Sequence, residues 1–543
     1  MEQDSGPFHP GEIEAQRRAD VLKDAAATGS FIRGHMPDQH RDFFTRLPFL
    51  VVAAGDAEGR PWVSILEGPE GFVTSPDAHE LRVASSLPPE DPLAAALRTG
   101  REIGILGIEL ATRRRNRLNG TVREAGDGFA IEVRQSFGNC PQYIRERNWR
   151  WGGGTSAGPA TVSDRLNAEQ QRRIMTADTF FIGSGQSSGQ GRATDGFDAS
   201  HRGGEPGFVR IAEDGWLNIP DYAGNKYFNT IGNLLRNPKV GLLFVDFRTG
   251  GMLHLTGRAT IEWDVTNAHD PLAQRMIVVE VDKVVDRPAA LSLRWEENET
   301  GRVRLKVVDK VRQSGGIMSV ELADADGGDL APFRAGEHLP ISLTIPGQAG
   351  RVRRNYSLSG PPGAGTYRLA IKREGRGVAS SFLHDVVGVG DTIEAGRPSG
   401  DFVLPEGDGP VVLVSAGVGI TPVLSMLHAL VAEQPARPVW FVHAARNSGE
   451  HAFAEEVERL VGNASQARLR VFYTAPLGEN VASRPVVARG RLTAADLLDL
   501  EAGPEAQYML CGPAGFLSDL QSGLVASGVP AGNVHYETFG PTG

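Results

Sequence analysis

The chain changes period near residue 405. From about residue 40 up to that point, apolar and polar residues alternate over short runs such as FLVVAAG (49–55), LRVASS (81–86), FVRIAE (208–213) and MLHLTGRATI (252–261), punctuated by Gly, Asp and Pro. A period of two with turn residues between runs predicts antiparallel β-structure, of the kind that closes into small barrels. Beyond residue 405 short apolar strands alternate with helical stretches. VVLVSAG (411–417), VWFVHAA (439–445), LRVFYTA (469–475) and QYMLCG (507–512) read as strands; TPVLSMLHALVAE (421–433), AFAEEVERLV (452–461), TAADLLDL (493–500) and PAGFLSDLQSGLVASG (513–528) read as helices. That alternation predicts a parallel, doubly wound α/β sheet.

The β-rich part contains an internal repeat. EGPEGFV (67–73) recurs as GGEPGFV (203–209), and IGILGIELATRRRNRLNGTV (103–122) as VGLLFVDFRTGGMLHLTGRA (240–259), at offsets of 136 and 137 residues. Each copy carries one predicted helix, LAAALRTG (93–100) and FNTIGNLLRNP (228–238), and the glycine-rich WGGGTSAGPA (151–160) separates them. SFGNCPQYIRER (136–147) reads as a helix start with Cys140 in a packing role, and the strand-poor WEENETG (295–301) marks a second boundary. The expected organisation is a lead segment (1–39), repeat 1 (40–160), repeat 2 (161–300), a β-barrel domain (301–405) and an α/β domain (406–543).

Composition narrows the function classes. At 543 residues several domains are required. A net charge of −10 offers no long-range attraction for phosphate backbones or anionic lipid, so neither nucleic acid nor a membrane surface is an expected partner. Two cysteines, Cys140 and Cys511, cannot build a disulfide framework or a four-thiolate cluster, and no metal site is expected. The first twenty residues lack an apolar signal core, and no apolar run approaches the ~18 residues of a membrane span, so a cytoplasmic protein is expected.

Three C-terminal segments carry candidate chemistry. In Arg354-Asn355-Tyr356-Ser357-Leu358-Ser359, strand alternation sets Arg354, Tyr356 and Leu358 on one face and Asn355, Ser357 and Ser359 on the other. An arginine can pair with a phosphate, an aromatic can cover a ring and a hydroxyl can bond a ring nitrogen; a plain strand with an exposed arginine is the alternative. In IKREGRGVASSFLHDV (371–386), Gly375 and Gly377 precede a helix expected near Ser380, whose free N–H groups suit a pyrophosphate. In Ala416-Gly417-Val418-Gly419-Ile420-Thr421-Pro422 a strand turns into a helix through two glycines, with Pro422 in the first turn.

These motifs, with LCGPAGF (510–516) and VHYETFGP (534–541), resemble the ferredoxin–NADP reductase superfamily, most closely the reductase half of flavohaemoglobins, over about residues 303–541. The resemblance implies FAD and NADPH or NADH as cofactors. It assigns Arg354 to FAD phosphate, Tyr356 to packing on the flavin, and Ser357 to a hydrogen bond near flavin N5. Lys372 belongs to the second motif, in which Gly377, Val378, Ala379 and Ser380 cradle the pyrophosphate. Gly417, Gly419 and Thr421 bind the nicotinamide nucleotide, Cys511 and Gly512 lie near its ring, Phe539 shields the flavin and Glu537 sets its polarity. Arg446 and Ser448, after the second strand of the wound sheet, are candidates for a 2′-phosphate, and no acid stands immediately at that strand end, which favours NADPH.

GRPWVS, PGFV, NPKVGLLFVDF and AALSLRW resemble the pyridoxamine 5′-phosphate oxidase-like split-barrel superfamily over about residues 40–297, in two tandem copies. Such barrels pair with FMN at the joint, and a tandem repeat offers that pair within one chain; a homodimer of chains is also expected. In the second copy Lys226 matches a phosphate-binding lysine, with Asn229 and Thr230 as further FMN contacts and Asn225 where the oxidases carry arginine. The first copy has acids in the matching place, so at most one full FMN site is expected. Asp198, His201 and Arg202 form a second candidate patch, with a solvated polar loop as the alternative.

Three functions follow. One is a self-contained NAD(P)H oxidoreductase passing electrons through FAD to an acceptor in the N-terminal half, acting on a small molecule or oxygen. Another is a reductase component serving a separate oxygenase or electron-transfer protein, with the barrels as a docking module. The third makes the N-terminal half a ligand- or haem-binding unit, with His201 as a candidate haem ligand, since no globin-like helical pattern precedes residue 300.

Overall fold

The computed structural model describes residues 6–125, 128–139, 142–152, 158–297, 302–346, 348, 351–375, 377–477 and 486–538. The chain forms two compact units, Met1–Asn298 and Glu299–Gly543.

The first unit opens with three helices, α1 (Pro10–Arg18), α2 (Leu22–Thr28) and α3 (Asp38–Thr45). Seven strands follow: β1 (Phe49–Gly55), β2 (Pro61–Glu67), β3 (Val73–Asp77), β4 (Glu80–Val83), β5 (Glu102–Glu109), β6 (Arg114–Ala125) and β7 (Phe129–Gly138). After β8 (Arg147–Trp151), β9 (Thr161–Ser163) and α4 (Ala168–Thr176) comes a second set: β10 (Thr179–Gln186), β11 (Gly196–Gly203), β12 (Arg210–Ile211), β13 (Leu217–Asp221), α5 (Asn229–Arg236), β14 (Lys239–Asp246), β15 (Gly251–Glu262) and β16 (Arg275–Arg287). β17 (Leu293–Glu297) closes the unit by pairing antiparallel with β8, so the ends of the two copies are tied together.

The strand orders, β2-β1-β5-β6-β7-β4-β3 and β11-β10-β14-β15-β16-β13-β12, are the same order read in two copies, with β9 added beside β16 in the second. The repeat in sequence is therefore a repeat in topology. Strands β1 and β10 are buried on both faces because each face meets a different core. Along β1, Leu50, Val52 and Ala54 enter the core of the first copy, while Phe49, Val51 and Ala53 enter a core shared with Phe181, Ala199 and Leu243 of the second. Phe180 and Ile182 of β10 turn the other way, into the second copy's own core. Burying an aliphatic side chain contributes about 1.5–3 kcal/mol, and the shared core joins the copies by that means.

Four local expectations are corrected. Residues 93–100 form turns, not a helix, for LAAALRTG is only eight residues long and its start is bent by Asp91, which accepts from Leu93 N at 2.9 Å. Ser136–Gly138 end strand β7 rather than begin a helix, and Cys140 lies outside the described residues. Residues 295–297 are strand, because β8 supplies the ladder partner that the acidic sequence conceals. The 198–203 segment, read as a ligand patch with a solvated loop as the alternative, is strand β11, buried except for the half-buried Arg202, since it is paired along its whole length with β10.

The second unit begins with β18 (Val303–Arg312), β19 (Ile317–Asp324), β20 (His338–Thr344), β21 (Arg351–Ser357), β22 (Tyr367–Lys372), α6 (Val378–Asp385) and β23 (Thr392–Ala395). The sheet runs β21-β20-β23-β18-β19-β22, and a bridge between Leu358 and Leu369 joins its two edges, closing an antiparallel barrel. Then follow β24 (Val411–Ala416), α7 (Ile420–Glu433), β25 (Val439–Ala445), α8 (Ala454–Gly462), β26 (Ala467–Tyr473), β27 (Val487–Arg489), α9 (Ala494–Leu498), β28 (Gln507–Gly512), α10 (Ala514–Ala526) and β29 (Val534–Thr538). All pairings in the order β27-β26-β25-β24-β28-β29 are parallel. Strand order reverses between β24 and β28, and the carboxyl ends at such a switch point form a crevice for ligands.

Candidate functional site

The C-terminal candidates lie at the carboxyl ends of the wound sheet's strands, on barrel strands β21 and β22 and at the start of α6. β24 leaves the sheet through a 3₁₀ turn at Gly417–Gly419 into α7. Gly417 has φ +55, and a Cβ on Gly419 would stand 2.3 Å from the Cys511 carbonyl oxygen, so both positions require glycine. Thr421 is buried and donates its hydroxyl to Val418 O at 3.1 Å. Cys511 lies across from Ser415 on one side and Glu537 on the other, with Gly512 next in the strand. Burial, then the nearby Glu537, pushes the Cys511 thiol well above its ordinary value, so it stays protonated and unreactive.

The Glu537 carboxyl is pushed up to about 8 by burial and by Asp401. Its Oε2 is closed off from solvent and has no partner among the described residues. Ser357, at the end of β21, is buried with its hydroxyl likewise unpartnered. Of the unpartnered buried polar atoms among the described residues, one thus lies on a barrel strand and one beside the crevice. Tyr356 is half-buried against the barrel core, its phenol raised to about 12 by burial, and Arg354 is exposed. Lys372 pairs with Glu374 at 2.9 Å. The helix α6 begins at Val378, two residues before the expected start, and its cap Gly377 provides no side-chain bond. Val378 is exposed and Ala379 buried; Ser380 donates to Gly377 O at 3.0 Å and accepts from Glu374 N at 3.1 Å. Arg446 is exposed and Ser448 half-buried just past β25. Phe539 lies outside the described residues.

Sequence reasoning missed a stacked imidazole pair. His443 and His451 lie 4.5 Å apart at 24°, with Ser415 Oγ 2.8 Å from His443 Nδ1 and the Tyr473 hydroxyl 3.0 Å from His451 Nδ1. They bracket the loop carrying Arg446 and Ser448. The available signal was a histidine inside an otherwise apolar strand.

In the first unit two of the candidates, Lys226 and Asn229, are engaged by the N-terminal helices. Lys226 pairs with Asp24 at 2.9 Å. Asn229 donates to Glu12 Oε1 at 2.5 Å and accepts from Arg117 at 3.1 Å, and the Thr230 hydroxyl lies 3.2 Å from that of Ser200. Glu12 is buried, and burial followed by Asp198 pushes its carboxyl well above the ordinary range. The expected patch of Asp198, His201 and Arg202 is divided. Asp198 accepts from Asn119 at 2.8 Å and Asn233 at 2.7 Å, and Arg202 pairs with Asp221 at 3.1 Å. Strand alternation turns His201 to the opposite face, against Phe181. Burial, then Arg115, Arg202 and Arg147, keep His201 well below its ordinary pKa and hence neutral.

A barrel followed by a wound parallel sheet, with glycine turns at the switch point, defines an FAD- and NAD(P)-binding reductase module. Through it the chain belongs to the ferredoxin–NADP reductase-like superfamily. The family model for the oxidoreductase NAD-binding domain matches residues 413–522. A flavohemoprotein of Burkholderia sp. (strain TH2) is 37% identical over 275 residues, which is 50% of this chain and 67% of that protein. One from Deinococcus radiodurans is 38% identical over 275 residues, 51% of this chain and 67% of that protein. The FAD/NAD-binding domain of a nitric oxide dioxygenase from Vibrio cholerae is 35% identical, covering 44% of this chain and 99% of that one, with a TM-score of 0.40. Other flavohemoproteins, such as that of Bacillus cereus, are matched over 60% of their own length.

Proposed function

We propose that the chain is a self-contained NAD(P)H-dependent oxidoreductase, in which electrons pass through the C-terminal unit to an acceptor held or bound by the N-terminal unit. When bound, FAD supplies two-electron acceptance from NAD(P)H and onward one-electron transfer. The observation that carries the reading is the pair of orphaned groups, the Ser357 hydroxyl and Glu537 Oε2, in a unit whose glycine turns lie at the switch point.

The chain's own residues then have defined tasks. Arg354 and the uncapped start of α6 at Gly377–Ser380 hold phosphate charge. Tyr356 covers the flavin and Ser357 offers its hydroxyl to the ring edge. Gly417, Gly419 and Thr421 admit the nicotinamide nucleotide, while Cys511 and Gly512 leave room for its ring. Binding energy from the distant phosphates orients the reacting ends.

Arg446 and Ser448 support NADPH as the donor. Arg446→Ala is expected to weaken NADPH roughly ten- to a hundredfold, the worth of a charge-assisted contact, with little change for NADH. Equal weakening of both nucleotides would remove Arg446 from recognition.

For the N-terminal unit the duplicated topology and the shared core support a within-chain barrel pair, with FMN held at Lys226, Asn229 and Thr230. The engagement of those three residues by Asp24, Glu12 and Ser200 favours a second reading, a docking or ligand-binding module serving a separate acceptor. The test is the spectrum and chromatography of cofactor released on denaturation. FAD with FMN supports the relay, FAD alone supports docking, a Soret band supports haem, and a colourless protein that cannot be reconstituted with FAD ends the proposal.

A further inference from the structure

Three ionisable side chains from three elements of the second unit meet at one point. Arg368 on β22 donates to Glu456 on α8 through both terminal nitrogens, at 2.8 Å and 3.0 Å. His428 Nε2 on α7 lies 2.6 Å from Glu456 Oε1. The same guanidinium donates to the Ser359 carbonyl at 2.7 Å, and lies over the Phe453 ring at 5.0 Å. All three side chains are largely withdrawn from water, with exposures of 14% for Arg368, 15% for Glu456 and 13% for His428. Burial alone would raise the Glu456 carboxyl, yet hydrogen bonds from His428 and Arg368 outweigh it and hold it down to about 2. The Glu456 carboxyl is therefore ionised throughout the working pH range.

What matters is where the three partners are attached. Ser359 ends the Arg354–Ser359 motif, two residues beyond Ser357. His428 rides on α7, which grows directly out of the Gly417–Thr421 turn. Glu456 and Phe453 follow the loop that begins at Arg446 and ends at His451. The barrel and the wound sheet also meet through an apolar cluster in which Ile317, Ala335 and Phe402 pack with Ile420, Val423 and Met426 of α7. Apolar contact is non-directional and tolerates small slides, whereas a bidentate guanidinium–carboxylate pair fixes both distance and angle.

We propose that Arg368, Glu456 and His428 form a positioning centre that sets the flavin-binding barrel in register with the nucleotide-binding sheet, and so sets the approach of the nicotinamide to the flavin. The inference goes beyond the assignment of cofactor contacts and rests on it, through Ser357 and the Gly417–Thr421 turn. None of the three residues is placed against a cofactor. Hydride transfer is steep in donor–acceptor placement, and an error near 1 Å costs on the order of a hundredfold.

The test uses the full-length, FAD-loaded protein and four variants: Glu456→Gln, which keeps shape and removes charge; Arg368→Lys, which keeps charge and removes the fork; Arg368→Ala; and His428→Gln. Stopped-flow reduction by NADPH is expected to slow about tenfold or more in Glu456→Gln and Arg368→Ala. FAD content and KM are expected to stay within about twofold of wild type, because the cofactor contacts are untouched. Arg368→Lys and His428→Gln should fall between, each keeping part of the cluster. The long-wavelength charge-transfer band formed with NADP⁺ should weaken in the same order. In cofactor-free protein, hydrogen exchange should quicken in peptides covering 355–360 and 446–453. Wild-type reduction rates and band intensity in every variant overturn the proposal, and so does a rate loss wholly matched by lost FAD or raised KM, which marks a structural role alone. Ser357→Ala is run alongside. If it too reduces at the wild-type rate, the flavin assignment itself fails, whereas a slow Ser357→Ala beside unaffected cluster variants overturns the positioning centre alone.

Discussion

Ser357 and Glu537 are two of the described residues with a buried polar atom that has no partner. Ser357→Ala removes a hydroxyl and little volume, so FAD should remain bound while its reduction by NADPH slows roughly tenfold, the worth of one hydrogen bond of about 1.4 kcal/mol. Stopped-flow traces at wild-type speed would remove Ser357 from the chemistry. Glu537 gives a pH signature. Its folded-state value, near 8, stands above the ordinary 4.5, so the unfolded chain loses this proton first as pH rises. Stability from this group is therefore fully present below about 4.5 and is lost progressively up to about 8, with a slope of at most about 1.4 kcal/mol per pH unit. Urea titrations of cofactor-free protein from pH 4.5 to 8 should show that decline, and Glu537→Gln should flatten it. An unchanged slope in the variant would assign the effect to other groups.

At the scale of elements, the first unit depends on strands buried on both faces. Phe181 on β10 is fully buried in the core shared by the two copies, whereas its neighbours Phe180 and Ile182 serve the second copy alone. Phe181→Ala is expected to lower the stability of the first unit by about 3–5 kcal/mol, read as a shift in the denaturant midpoint of its transition. NAD(P)H-dependent ferricyanide reduction at low denaturant should be unaffected, because its candidate residues all lie in the second unit. A midpoint within error of wild type would mean that the shared core carries little of the unit's stability. The helix α1 makes a related point. Its buried positions include Glu12 and Gln16, bonded to Asn229 and to the Tyr227 carbonyl, so it packs by polar complementarity as much as by apolar area.

For the whole molecule the question is whether the two units share one electron path. A fragment beginning near Arg302 contains every candidate FAD and nucleotide residue and should reduce ferricyanide with NADPH at close to the full-length rate. It should lose any reduction of FMN or of an acceptor held by the first unit. In the full chain, Lys226→Ala should release FMN and leave FAD in place, measured by chromatography of extracted flavin. Wild type without FMN or haem, together with an unchanged Lys226→Ala, would sink the relay and leave the first unit as a docking or ligand-binding module. No helix of the described residues is long and apolar enough to cross a membrane.

The reductase half was legible because its signals are local. A strand, a glycine turn and a helix start are set by neighbours in sequence, so Gly417, Gly419, Val411–Ala416 and Gln507–Gly512 could be placed from the residues alone. The duplication was legible for the same reason, since each copy repeats its own periodicity. What tertiary structure alone decided is where polar groups are buried. Glu12 and Asn229 are 217 residues apart, Arg117 and Asn229 are 112, and Arg368 and Glu456 are 88. A polar residue on a buried face has the same local pattern as one in solvent, and only the partner brought by the fold distinguishes them. That is why residues 1–39 read only as a lead segment, why Asp198 and His201 read as one patch, and why the centre at Arg368 could not be seen. Sequence periodicity selects the elements, because backbone geometry is local; the fold selects which charges meet, because desolvation and pairing depend on every element that closes over them.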